Sequence, residues 1–175
     1  LSHGVSYFGA NAGDNFGCSV TKVADFNRDL KSDFLIGAKG EENGTGAAYV
    51  LFGGSSLVGG DLASFVSGES GLKLLGVDVG GQFGYSVAGI NDINGDGFVD
   101  VLISAPAASA FGKSEAGKTY ILFSFFTETY TSYAVDVLLL DGVSGFIVQG
   151  ASAGAFSGSS LSALLDVNGD SKRDI

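Results

Sequence analysis

Asp92-Ile93-Asn94-Gly95-Asp96-Gly97-Phe98-Val99-Asp100 carries oxygen-bearing side chains at positions 1, 3, 5 and 9 of a nine-residue stretch. The same spacing recurs at Asp25, Asn27, Asp29 and Asp33, and again at Asp166, Asn168, Asp170 and Asp174. The copies start 67 residues apart from Asp25 to Asp92, and 74 apart from Asp92 to Asp166. An all-oxygen donor set suits a hard cation, and its recurrence marks a repeat protein.

The flanking residues keep the same register. Nine residues before the first two loops stand Phe16-Gly17 and Phe83-Gly84. The third has Ser157-Gly158 there, with Phe156 one place off register. Gly9, Gly76 and Gly150 lie sixteen residues before the loops. Apolar runs follow, Phe34 to Ala38 and Val101 to Ala105, then Tyr49 to Phe52 and Tyr120 to Phe123. Each unit reads as four strands. Strand a is 18–23 or 85–90, and strand b is 33–37 or 100–104. Strand c is 48–52 or 119–123, and strand d is 72–75 or 146–149, with 5–8 an earlier d strand. No segment keeps a helical apolar period. The expected fold is all-β: propeller blades of four antiparallel strands, with the acidic loop between strands a and b.

The Phe-Gly pairs, the acidic loops and Gly37-Ala38-Lys39 or Ser104-Ala105-Pro106 after strand b resemble the FG-GAP repeat. Lys39 departs from it, since the family has proline there. The resemblance implies an integrin-α-type β-propeller, a fold of about seven blades. This chain would then hold about two and a half. Residues 1–9 would be the outer strand of a preceding blade. Residues 10–76 and 77–150 would be two repeats, and 151–175 the start of a third. The expectation is a piece of a longer chain, or a subunit completed by its neighbours. The resemblance also implies that partners dock on the face away from the acidic loops.

Composition narrows the function classes. Of 175 residues, 45% are hydrophobic and 29 are glycine, with one proline, which suits many strands and tight turns. Net charge is −10. The three loops supply nine of the 19 acidic residues, so three divalent ions would leave about −4. Nucleic-acid binding, which needs a basic stripe, is disfavoured. No apolar run is long enough to span a bilayer, so no membrane insertion is expected. Cys18 is the sole cysteine and is expected to be a small buried side chain.

In each loop, side chains at positions 1, 3, 5 and 9 and the position-7 carbonyl would surround one ion. Those carbonyls belong to Lys31, Phe98 and Lys172. Flexible cages of six or seven oxygens at ~2.3–2.6 Å favour calcium over magnesium. No histidine or cysteine invites zinc. An EF-hand is excluded, because position 12 is Ile36 or Ile103 rather than glutamate. Position 6 favours a left-handed backbone, easiest for glycine. Only the middle loop has one, Gly97, against Leu30 and Ser171, so the middle loop is expected to bind most tightly. The calcium would be structural.

Several motifs compete with this reading. Gly112 to Thr119 matches a P-loop pattern, but a strand-like run follows it where a helix is required. Leu165-Asp166-Val167 resembles an integrin-recognition tripeptide, yet its aspartate is loop position 1. No nucleophile elbow is present, and no enzyme activity is expected. Asn43-Gly44-Thr45 is a glycosylation sequon. Residues 125–134, with Phe126, Tyr130 and Tyr133, would form an aromatic patch packing between blades or chains.

The leading expectation is an extracellular or cell-surface propeller segment for adhesion. Its partner would be a protein, a matrix or surface ligand, or a copy of itself. The alternatives are a structural subunit of an extracellular assembly or fibre, and an accessory propeller of a larger secreted enzyme.

Overall fold

The computed structural model describes residues 6–54, 60–61, 71–124, 135–136, 140, 142–169 and 174–175. Its strands are β1 (Tyr7–Phe8), β2 (Phe16–Val23), β3 (Asp33–Ala38), β4 (Ala47–Leu51), β5 (Gly60–Asp61) and β6 (Gly71–Leu75). They continue with β7 (Val87–Asn91), β8 (Asp100–Ala105), β9 (Lys118–Leu122), β10 (Val135–Asp136) and β11 (Gly145–Gln149). Strands β2, β3, β4 and β6 form one antiparallel blade, and β7, β8, β9 and β11 the next. The a-to-d order expected from the repeat is present twice, with strand ends shifted by only one or two residues.

Both faces of each blade are apolar, which explains the unbroken apolar runs. Alternate residues of a strand point to opposite faces. On β4, Ala48 and Val50 join a core shared with the second blade, while Ala47, Tyr49 and Leu51 face the other way. On β8, Val101, Ile103 and Ala105 enter that shared core from the opposite side. Leu102 packs behind them with Ile90 and Ile121. Leu161 and Ala163, from the third unit, cover this rear face. The blades are therefore stacked sheets with a continuous core between them.

The Phe-Gly signature builds that stack. Phe83 is 1% exposed and meets Tyr120 edge-on, ring centroids 5.2 Å apart. Phe16 meets Tyr49 the same way in the first blade, at 5.7 Å. The Phe83 N–H donates to Thr45 O of the preceding blade at 3.0 Å, and Gln82 N–H to Gly44 O at 2.9 Å. One unit later, Ser157 and Phe156 repeat these bonds to Ala116 and Glu115. Ser157 thus takes the phenylalanine's place and Phe156 takes that of Gln82. Gly84 has φ +84°, and a Cβ there would lie 2.2 Å from Ala47 O. Only glycine permits so close an approach.

The sequence did not disclose two short strands. β5 pairs parallel with β1, Tyr7 opposite Gly60, and β10 pairs parallel with β6, Leu74 opposite Val135. Leu74 lies one 67-residue repeat beyond Tyr7, so the two pairings are equivalent. Each c–d connection reaches back: β10 adds a fifth strand to the first blade, and β5 pairs with β1 in a two-stranded sheet. The aromatic segment 125–134 lies outside the described residues, as do His3 and Val5. Cys18 is exposed rather than buried, with its thiol 3.4 Å from Gly84 O. It lies on β2, an edge strand of the first sheet, where its side chain is not enclosed. One helical turn spans Glu41–Gly44, but Glu42 and Asn43 have positive φ.

Candidate metal centre

The first two acidic loops share one hydrogen-bond plan. In the middle loop Asp92 Oδ1 accepts Gly95 and Asp96 N–H at 2.7 and 3.0 Å, and Oδ2 accepts Gly97 N–H at 2.8 Å. Asn94 Oδ1 accepts Asp96 N–H at 3.0 Å, and Asp96 Oδ1 accepts Phe98 N–H at 2.8 Å. In the first loop Asp25 accepts Asp29 and Leu30 N–H, Asn27 accepts Asp29 N–H, and Asp29 accepts Lys31 N–H. The chain thus winds around its own side-chain oxygens, which face inward at positions 1, 3 and 5. In the third loop Asp166 Oδ1 accepts Gly169 N–H at 2.6 Å, while Asp170 and Lys172 lie outside the described residues. Leu165 and Val167 are exposed around it.

Position 9 does something the spacing alone does not reveal. Asp33 is fully buried. Its Oδ2 accepts Phe26 and Asn27 N–H at 2.7 and 3.3 Å, and its Oδ1 accepts Gly53 N–H at 2.7 Å. Asp100 repeats this with Ile93 at 2.8 Å and Ser124 at 3.0 Å. Asp174 Oδ2 accepts Val167 N–H at 2.7 Å. The carboxylate therefore clamps the start of the loop to the end of strand c. Burial pushes both Asp33 and Asp100 above the usual carboxylate range, against the opposing pull of these N–H groups.

Backbone strain separates the two complete loops. Position 6 is left-handed in both, Leu30 at φ 67° and Gly97 at 86°. Position 4 is left-handed too: Arg28 at 63°, Gly95 at 84° and Gly169 at 82°. A non-glycine residue in that region costs about 1–2 kcal/mol. The first loop carries two such residues where the middle loop carries glycines. It also holds its own cation, Lys31 Nζ, 3.5 Å from Asp29 Oδ2.

The donor chemistry fits a hard cation. Positions 1, 3 and 5 offer carboxylate and amide oxygens, although in the middle loop the Asn94 amide also donates to Asp96 Oδ2 at 2.9 Å. Asp33 Oδ1 and Asp100 Oδ1 each keep a second lone pair. As the side chains stand, no group of three His, Cys, Asp or Glu among the described residues lies close enough to hold an ion. Asn27 and Asn94 take one place in each set, and Asp33 and Asp100 turn into the sheet. An ion would be held by Asp92, Asn94, Asp96 and the Phe98 carbonyl, with Asp100 behind, and likewise from Asp25 to Asp33. It would supply positive charge binding strand a to strand b.

The opposite face carries different polar groups, which sequence reasoning missed. Glu41 is buried and accepts the Tyr49 hydroxyl at 2.7 Å while pairing with Lys73. In the second blade Asp78 Oδ2 binds Lys118 Nζ at 2.8 Å and the Tyr120 hydroxyl at 3.3 Å. Burial, then the neighbouring carboxylate, pushes both tyrosines above their ordinary value. The aligned tyrosines Tyr49 and Tyr120 were the available signal; their acidic partners come from different loops. Lys118, the P-loop lysine by pattern, sits on a strand in an ion pair. Asn11, Asp14, Gly40, Glu41, Glu42 and Asn43 line a cavity of about 350 Å3 on this face. Asn43 is exposed there.

Residues 83–122, from the phenylalanine of strand a through the acidic loop to the end of strand c, match the FG-GAP repeat model. The chain contains an FG-GAP repeat. It is 32% identical to mouse integrin alpha-E over 95% of its own length and 14% of that protein's. It is 36% identical to mouse integrin alpha-3 over 66% of the chain and 10% of that protein, and 32% identical to mouse integrin alpha-M over 51% and 8%. This FG-GAP chain thus spans a small part of the curated relatives it matches. Among the described residues no helix is long and apolar enough to cross a membrane.

Proposed function

We propose that this chain is a calcium-braced propeller segment serving adhesion or protein–protein contact at a cell surface or outside the cell. Its repeats run over residues 10–76, 77–150 and 151–175, and its role is binding rather than catalysis. One observation carries the calcium reading: two loops, 67 residues apart, wind their N–H groups around inward-facing oxygens at the same three positions. Asp25, Asn27, Asp29, the Lys31 carbonyl and Asp33 form the first site. Asp92, Asn94, Asp96, the Phe98 carbonyl and Asp100 form the second. Asp166, Asn168, Asp170, the Lys172 carbonyl and Asp174 form the third. Calcium binding only the folded state stabilises by about 2.7 kcal/mol at a hundredfold excess over Kd. The integrin relatives support the adhesive role, with the partner on the face of Asn11, Glu41 and Asn43. Asn43 is a candidate for glycosylation there. The test is thermal melting with calcium and with excess chelator. Chelation should lower Tm, and Asp92→Ala or Asp96→Ala should mimic much of that loss. A melting curve indifferent to chelator would rule out the calcium assignment.

A further inference from the structure

Arg28 belongs to the first acidic loop and Phe98 to the second, yet the Arg28 guanidinium carbon lies 3.5 Å from the centroid of the Phe98 ring. That is well inside the ~6 Å reach of a cation–π contact. Both residues hold sensitive places. Arg28 is the left-handed position 4 of its loop, with φ 63°. Phe98 is position 7 of its loop, and its N–H is already fixed on Asp96 Oδ1 at 2.8 Å.

We infer that Arg28 and Phe98 are positioning residues that couple the two loops, so that filling either one raises the cation affinity of the other. The inference rests on the calcium reading above. Coordination by the Phe98 carbonyl fixes that residue's backbone and therefore its ring. The ring then holds the Arg28 guanidinium away from the carboxylates of Asp25 and Asp29. When the ring is free to move, the guanidinium is released as a competing cation beside those carboxylates, and Lys31 already sits on Asp29. Two like-charged ions on neighbouring loops would by themselves weaken one another. A positive sign of coupling therefore identifies the stack. Linkage makes the effect reciprocal.

The experiment is a calcium titration of the isotope-labelled chain, following the amide resonances of Asp29 and Leu30 for the first loop and Gly95 and Gly97 for the second. Asp96→Ala disables the second loop at an exposed side chain. The first loop should then fill roughly two- to fivefold more weakly than in the native chain, the span expected for an exposed cation–π contact. Adding Arg28→Gln should erase that difference, whereas Phe98→Tyr in the native background should preserve the coupling. An affinity of the first loop indifferent to Asp96→Ala overturns the inference. So does a difference that survives Arg28→Gln. Amide resonances that ignore calcium in both loops overturn the calcium reading itself, a result distinct from two loops that fill independently.

Discussion

Asp33 Oδ1 accepts the Gly53 N–H at 2.7 Å, which ties an acidic loop to the far end of strand c. Asp33→Ala would leave two buried N–H groups, on Phe26 and Gly53, and the half-buried N–H of Asn27 without their acceptor. Orphaned buried donors cost about 1–3 kcal/mol each, so a loss of about 3 kcal/mol or more is expected. In a chain of this length that corresponds to roughly 6–12 °C in Tm. Asp29→Ala, at an exposed position, should cost less than about 1 kcal/mol in chelator. Equal losses in the two variants would show that the clamp is unimportant.

Leu30 is 93% exposed with φ 67°, so its side chain contributes little packing to set against its backbone strain. Leu30→Gly should stabilise the first loop by about 1 kcal/mol and tighten its calcium affinity. Gly97→Ala should do the reverse in the middle loop, where an added Cβ meets nothing within 4 Å and only the positive φ is at issue. Denaturant melts with and without calcium check both. A destabilised Leu30→Gly chain would contradict the strain assignment.

Gly84→Ala tests the junction between blades. Its Cβ would stand 2.2 Å from Ala47 O, on a residue with φ +84°. A loss above about 3 kcal/mol is expected, together with weakened amide protection at Phe83 and Gln82. Near-native stability would mean that the blades are not held by this close approach.

The pH dependence follows from Asp33 and Asp100. Burial raises both above their unfolded value. The folded chain therefore holds these protons more tightly than the unfolded one. Their contribution to stability is greatest below the unfolded pKa of about 3.9 and falls as pH rises from there through the raised values. In chelator, Tm should drop across that acidic span. The Asp33→Asn, Asp100→Asn double variant should show a flatter profile. A native profile no steeper than the variant's would contradict the shift.

Most of the eight blade strands were legible as apolar runs bounded by glycine or aspartate; β2, with Ser19, Thr21 and Lys22 along it, was legible only because the repeat showed each pattern twice. β5 and β10 were not. A two-residue strand has no period, and Gly60-Asp61 and Val135-Asp136 share only their aspartate. The acidic positions were legible as a ligand pattern, but the inward clamp at position 9 was not. Its signal was that Asp33 and Asp100 open apolar strands and are therefore carried into the sheet. The need for φ > 0 at position 6 was legible in Gly97. Its twin at position 4 was hidden in the first loop by Arg28. The Glu41 and Asp78 clusters were not legible, because their lysine partners are 32 and 40 residues away and the arrangements differ between blades.

The backward-reaching fifth strand also sets an order of events during synthesis. The first blade's own strands end at Leu75, but β10, which finishes its outer edge, ends 61 residues later at Asp136. At a translation rate of about 5–20 residues per second, that edge waits roughly 3–12 s for its cover. A ribosome-bound chain therefore carries one open sheet margin at a time, closed only as the next unit emerges. A pause in translation between Leu75 and Val135 would prolong the exposure, and chaperone capture should be strongest in that interval.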